Sequence, residues 1–387
     1  MRTRVAIPAL IVALLLTGCA PDPTPTPSAS PTTPSPTPTP TPTVDPIAGL
    51  SLEQRVGQLF MVGTTTASAN PATVSAITNQ HVGSIFLHSG TRTSIQQTAA
   101  LAGQFTALVS PATTGGIPLW VSTDQEGGEV QVLSGQGFTP IPSAVEQGKL
   151  PAATLQQDAA AWGAQLVQAG VNVNLAPVAD IVTSPQAAPQ NKPIGALYRE
   201  YGFDEQTVAA KAGAFAAGMR QAGVLPTFKH FPGLGRTTTN TDFAPAVDTV
   251  ITPQSPDVDV YRSLIAGGPG LVMVSTAIYQ KIDGSAPAAF SPTIVTGLLR
   301  GTLGYDGVVI TDDLSAAASV AKWTPAQRAT LAIDAGVDIV LVSSSPQLLP
   351  EMYQAVLAKA QADPAFAAKV DAAARRVVTA KAGFASD

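Results

Sequence analysis

Two segments combine reactive side chains with buried-looking strands. Gly307-Val308-Val309-Ile310-Thr311-Asp312-Asp313-Leu314-Ser315 is an apolar, β-branched run that ends in two carboxylates. Such a run reads as a strand covered on both faces. A charge at its C-terminal end lies where barrels and open α/β sheets build their sites. Phe228-Lys229-His230-Phe231-Pro232-Gly233-Leu234-Gly235 repeats the design with cations and a Gly/Pro loop. Carboxylates and cations brought to one sheet end suit acid/base or nucleophilic chemistry on a polar substrate. The competing structural reading of Asp312 is an Asp that caps a following helix, a role open to Asp313 as well. For Lys229 and His230 it is a buried charge network at the sheet rim.

Eight short apolar runs can position these groups: Gln58 to Gly63, Gly83 to His88, Pro118 to Asp124, Val171 to Pro177, Leu225 to His230, Leu271 to Thr276, Val308 to Asp312 and Val337 to Ser343. Helical periodicity separates most of them. Leu155, Ala159, Trp162 and Leu166 share one face, as do Val208, Ala212, Phe215 and Met219. Ser291-Pro292 and Thr324-Pro325-Ala326-Gln327 mark helix starts, and Gly336 marks a stop. Residues 351–384 read as one or two Ala-rich helices divided near Asp363-Pro364. Alternating strands and helices imply an α/β fold with a parallel sheet, and eight strands close a (β/α)8 TIM barrel. A doubly wound open sheet is the alternative.

The barrel accounts for residues 47–387 of the 387-residue chain. Residues 1–19 carry Arg2, Arg4, an apolar run and Leu16-Thr17-Gly18-Cys19, the form of a signal peptide. Its ending looks like a bacterial lipobox, with Cys19 as the lipidated residue, against the plainer reading of a secretory leader with an incidental Cys. Cys19 is the single Cys, so no intrachain disulfide can form. Residues 20–46 are nearly all Pro, Thr and Ser and cannot build a core. At roughly 3.1 Å per residue they would reach about 80 Å, a tether from a membrane surface or a spacer of no required length. A net charge of −5 without a cationic cluster argues against nucleic-acid partners. No His/Cys grouping at ligand spacing implies a metal, and no cofactor is implied.

Four segments in order carry a family resemblance: Val121-Ser122-Thr123-Asp124-Gln125-Glu126-Gly127-Gly128, Asn174-Leu175-Ala176-Pro177-Val178-Ala179-Asp180, Lys229-His230-Phe231-Pro232-Gly233 and Ile310-Thr311-Asp312-Asp313-Leu314-Ser315. Together they resemble the single-domain bacterial β-N-acetylglucosaminidases of glycoside hydrolase family 3, over essentially all of residues 47–387. The resemblance implies that Asp312 is the nucleophile of a retaining glycosidase. It implies that Asp124, Lys229 and His230 contact the sugar and, less directly, that Arg199 does. Glu126 and Asp180 fit loop-holding roles better. The expected protein is a monomeric, extracytoplasmic, lipid-anchored exo-enzyme acting on terminal β-linked N-acetylglucosamine of cell-wall fragments or related glycans.

One part of the pattern departs. The family loop after the fifth strand carries an Asp-x-His dyad with His as acid/base, whereas this chain places Asn240 and Asp242 there. Its three His are His81, His88 and His230, none suitably placed in sequence. Val132 and Thr276 stand where an Arg and a His are frequent. Either Asp242 is the acid/base, restoring a two-carboxylate arrangement, or the dyad is lost and the domain binds glycan or hydrolyses it poorly. A third reading is a β-glycosidase on another sugar, such as glucose. An unperturbed Asp is protonated about one part in a thousand at pH 7, so the first reading needs a raised pKa. Gly233, Gly235 and the Thr run suggest that residues 233–244 form a mobile loop that closes over the substrate.

Overall fold

The computed structural model describes Gly18, residues 45–88 and residues 91–384. The leader with Cys19, and the tether up to residue 44, therefore lie outside the described residues. The continuously described chain starts at residue 45, slightly before the expected boundary at residue 47. Asp45 accepts the Arg375 guanidinium at 3.1 and 2.7 Å, which ties the entry of the domain to its last helix. Among the described residues no helix is long and apolar enough to cross a membrane.

Eight parallel strands form the barrel: β1 (Phe60–Thr65), β2 (Ser84–His88), β3 (Trp120–Thr123), β4 (Val173–Asn174), β5 (Leu225–Phe231), β6 (Leu271–Val274), β7 (Val309–Thr311) and β8 (Val340–Val342). Each lies within or against its predicted run. β1 pairs with both β2 and β8, and a parallel bridge between Ile310 and Ile339 closes the ring. The Thr311 amide completes the seam by donating to the Ile339 carbonyl at 3.0 Å.

Strand alternation divides the core. Met61, Phe86, Trp120, Met273, Ile310 and Leu341 fill the barrel interior, while Phe60, Val62, Ile85 and Leu87 face the helical jacket. The predicted helix faces do the same work, since Leu155, Ala159, Trp162, Leu166, Val208, Ala212, Phe215 and Met219 are all buried. The capping box at Thr324 and Gln327 is formed, and Gly336 stops the helix at φ 106°. The split at Asp363 divides helices Leu349–Ala362 and Pro364–Phe384. Ser291 Oγ accepts the Ile294 amide at 3.1 Å as a cap should, but the helix behind it, Thr293–Thr302, winds as a π-helix. Nothing in the residue pattern announces that wider winding.

Candidate active site

The C-terminal strand ends place the predicted residues around one cavity of about 300 Å³. Asp124 follows β3, Asp312 follows β7, and Lys229 and His230 sit near the end of β5. Strict alternation would send Lys229 and His230 to opposite faces. The β5–β6 register shifts between Lys229 and Phe231, and both side chains border the cavity. Arg199, Asn240, Asp242 and Ser343 complete its polar wall. A larger hollow of about 820 Å³ lies at the opposite barrel end, near Leu225, Leu271 and Val308, and holds none of the predicted site residues.

A buried ion network forms one wall. Lys229 Nζ lies 2.7 Å from Asp124 Oδ1 and 2.6 Å from Glu126 Oε1. Arg199 grips Glu126 through two hydrogen bonds, Nε to Oε2 at 2.8 Å and Nη2 to Oε1 at 2.7 Å. Burial opposes the charged form of Glu126, yet the adjacent Arg199 and Lys229 outweigh it and hold its pKa near about 2. Burial likewise opposes charge on Lys229, and Asp124 and Glu126 reverse the sign and raise it. Glu126 thus fixes two cations, the loop-holding role expected of it. Asp124 Oδ1 is tied to Lys229, and among the described residues its Oδ2 is left available.

Asp180 organises the β5 exit. Its Oδ1 accepts the His230 and Leu234 amides at 3.2 and 2.7 Å, and its Oδ2 lies 2.7 Å from His230 Nδ1. A carboxylate in that position assigns the donating proton to Nδ1, which leaves Nε2 for a ligand. Asp313 holds a turn and the β8 exit instead of the expected helix cap, since no helix starts directly behind it. It accepts the Ser315 and Ser343 amides at 2.9 Å each and the Ala316 amide at 3.1 Å. Among the described residues Asp312 accepts only the adjacent Asp313 amide, at 2.8 Å, and it is half-buried at the cavity.

Asp242 faces the same cavity as Asp312. Partial burial, followed by the Asp312 charge, pushes its pKa up to about 6, against the opposing pull of His230 and Arg199. The Asp242 residue as a whole is nevertheless exposed, so water screens part of this effect. Asn240 cannot supply the dyad carboxylate. Its Oδ1 accepts the Asp242 amide at 2.9 Å and builds the turn that presents Asp242.

The loop 233–244, expected to be mobile, is tied at several points in this structure. The Gly233 carbonyl accepts Tyr279 Oη at 2.9 Å. Asn191 donates to the Leu234 and Thr237 carbonyls at 2.7 Å each, and Arg236 grips Asp257 at 3.0 and 2.9 Å. The Asp242 carbonyl accepts the Ala318 amide at 3.2 Å. The glycines answer packing needs instead: Gly233 has φ 143°, and a Cβ on Gly235 would lie 2.0 Å from the Ile181 carbonyl oxygen. Thr276, in place of a frequent His, accepts Ser319 Oγ at 2.8 Å and anchors the neighbouring loop. His88, set aside in the sequence reading, ends β2 close enough to Asp313 and Asp124 to feel both charges, although burial lowers its pKa.

This arrangement matches a known family. The model described as the glycosyl hydrolase family 3 N-terminal domain matches residues 51–380. The chain belongs to glycosyl hydrolase family 3. Its similarity to the crystal structure of a β-N-acetylhexosaminidase from Beutenbergia cavernae covers 86% of this chain and 99% of that one, at 58% identity and a TM-score of 0.85. A family 3 β-N-acetylglucosaminidase from Paenibacillus is 30% identical over 87% of this chain and 63% of its own, with a TM-score of 0.79. The β-hexosaminidase LpqI of Mycobacterium tuberculosis is 35% identical over 80% of this chain and 78% of its own. The barrel is therefore that of a family 3 glycoside hydrolase. Sequence reasoning missed the turn-building role of Asn240 and the presence of Ser343 and Ser344 in the wall. A Ser-rich stretch directly after a strand was the available signal.

Proposed function

We propose that the protein is a retaining exo-β-N-acetylglucosaminidase that works outside the cytoplasm, held at a membrane by lipid on Cys19. The observation that carries this reading is the placement of Asp312 and Asp242 on one small cavity, where burial and the Asp312 charge push the Asp242 pKa up to about 6. The hexosaminidase names of the similar proteins supply the sugar class. A secreted glycosyl hydrolase from Arthroderma benhamiae, 35% identical over 63% of this chain, is in keeping with the location.

Asp124 accepts sugar hydroxyls through its available oxygen, and Lys229, Arg199 and His230 orient the ring. An Asp312 oxygen attacks the anomeric carbon as the glycosidic C–O bond breaks. Asp242 gives its proton to the departing oxygen, leaving a covalent glycosyl-enzyme. Water then attacks the same carbon, Asp242 takes the water proton, and Asp312 departs as carboxylate. Retaining geometry calls for about 5 Å between the two carboxyl groups.

The test is release of the aryl group from an aryl β-N-acetylglucosaminide between about pH 4 and 8. Turnover that disappears in Asp312→Asn, and that exceeds turnover of the aryl β-glucoside, supports the proposal. Binding of N-acetylglucosamine with no turnover supports a glycan-binding lipoprotein instead. Preferred cleavage of the glucoside reassigns the sugar. Peptidoglycan fragments ending in β-linked N-acetylglucosamine are the proposed natural substrates, and their digestion is the corresponding test.

A further inference from the structure

The cavity lies at the small end of ligand pockets, with room for about one sugar ring. Whatever is linked to that ring has to lie outside, over the rim. The leaving oxygen must come to the Asp242 carboxyl, so the departing group passes over the segment that carries Asp242. The next residue on that segment is Phe243, which is 81% exposed.

The large hydrophobic side chains exposed among the described residues are Val167, Tyr198, Phe243, Val247 and Val250. Both aromatics in that set are next in sequence to residues of the cavity wall. Phe243 follows Asp242, and Tyr198 stands between Leu197 and Arg199. Both rings are presented by fixed backbone. The Phe243 and Ala244 amides both donate to the Asn240 carbonyl, at 3.1 and 3.2 Å. Tyr198 occupies the left-handed region at φ 57°, where side-chain-bearing residues are uncommon, and its amide donates to the Gly195 carbonyl at 3.1 Å. Single exposed apolar residues are ordinary on protein surfaces. Both positions directly flank lining residues of one sugar-sized cavity, on turns held by backbone hydrogen bonds.

We infer that Phe243, assisted by Tyr198, forms an aglycone subsite that stacks the apolar C–H face of a second pyranose ring. The inference rests on Asp242 acting at the leaving oxygen. It makes the enzyme select carbohydrate leaving groups over small alkyl ones, because a rigid aromatic ring offers a large contact surface at little conformational cost.

The experiment compares kcat/KM for N,N′-diacetylchitobiose and methyl β-N-acetylglucosaminide, using the wild type, Phe243→Ala, Phe243→Trp and Tyr198→Ala. Phe243→Ala is expected to lose roughly 3- to 10-fold more on the disaccharide than on the methyl glycoside, and Phe243→Trp to restore the ratio. Tyr198→Ala moves the ratio in the same direction by less. Parallel losses on both substrates, or none, overturn the inference while the functional reading stands. A change of oligomeric state by light scattering with an unaltered substrate ratio also overturns it, and makes the patch a contact between copies. A wild type inert on both substrates, and on the aryl glycosides, removes the functional reading and this inference together.

Discussion

Asn240 Oδ1 lies 2.9 Å from the backbone nitrogen of Asp242 and accepts its N–H. The residue that replaces a dyad carboxylate thus sets the turn that aims the next candidate acid. Free-enzyme protonation governs kcat/KM, and a general acid must enter protonated. With Asp242 pushed up to about 6, kcat/KM is predicted to fall about tenfold per pH unit above that point. Asp242→Asn should abolish this limb and slow substrates with poor leaving groups far more than activated aryl glycosides. Asn240→Asp keeps the acceptor, adds a negative charge and should move the limb to higher pH. pH–rate profiles on both substrate types check all three outcomes.

The same raised pKa predicts a stability effect. An acid whose folded pKa lies above its unfolded value binds more protons in the native state between the two, so stability falls as pH rises through that window. For Asp242 the window runs from 3.8 to about 6. Asp242→Asn should therefore melt higher than wild type at pH 7, with the difference vanishing near pH 4. Thermal unfolding at the two pH values decides it. A modest gain is expected, because the group is open to solvent.

Glu126 is the anion that neutralises Arg199 and Lys229 inside the wall, at 2.7 and 2.6 Å. Glu126→Gln leaves buried cations short of a counter-charge, a change that costs about 3 kcal/mol. The denaturation midpoint should fall accordingly, and sugar affinity with it, since Lys229 would lean on Asp124 alone. An unchanged midpoint would show that solvent reaches this network.

At the other barrel end, Lys381 Nζ donates to Gln58 Oε1 at 2.8 Å and to the Gly83 carbonyl at 2.6 Å. Burial pulls its pKa down from 10.5 to about 7. Between those values the unfolded chain binds the extra proton, so stability rises with pH. The gain is at most about 1.4 kcal/mol per pH unit. Unfolding free energies from pH 7 to 10 should show this slope in wild type and a flatter one in Lys381→Met.

Much of this architecture is legible in the residues. Strands buried on both faces are continuous apolar runs, so all eight surfaced, although β4 shrinks to Val173–Asn174 because its flanks pair irregularly. Caps are local chemistry, and Thr324 with Gln327 was readable for that reason. The site was legible where a reactive group ends a strand, as for Asp312 and Lys229. Pairings between distant loops were not. That Glu126 meets Arg199, 73 positions away, depends on the side-by-side pairing of β3 and β4. Gly233 and Gly235 alone do not distinguish motion from close packing, since a glycine serves either. The exposure of Phe243 follows from how its turn is anchored to the 318 region, which no sequence window contains.

The most direct measurement is trapping with a mechanism-based fluorosugar followed by peptide mass spectrometry. The proposed chemistry predicts one glycosyl adduct, on the peptide containing Asp312 and on that side chain. An adduct on another residue, or an occupied cavity in which Asp312 stays unlabelled while substrate is turned over, would contradict it.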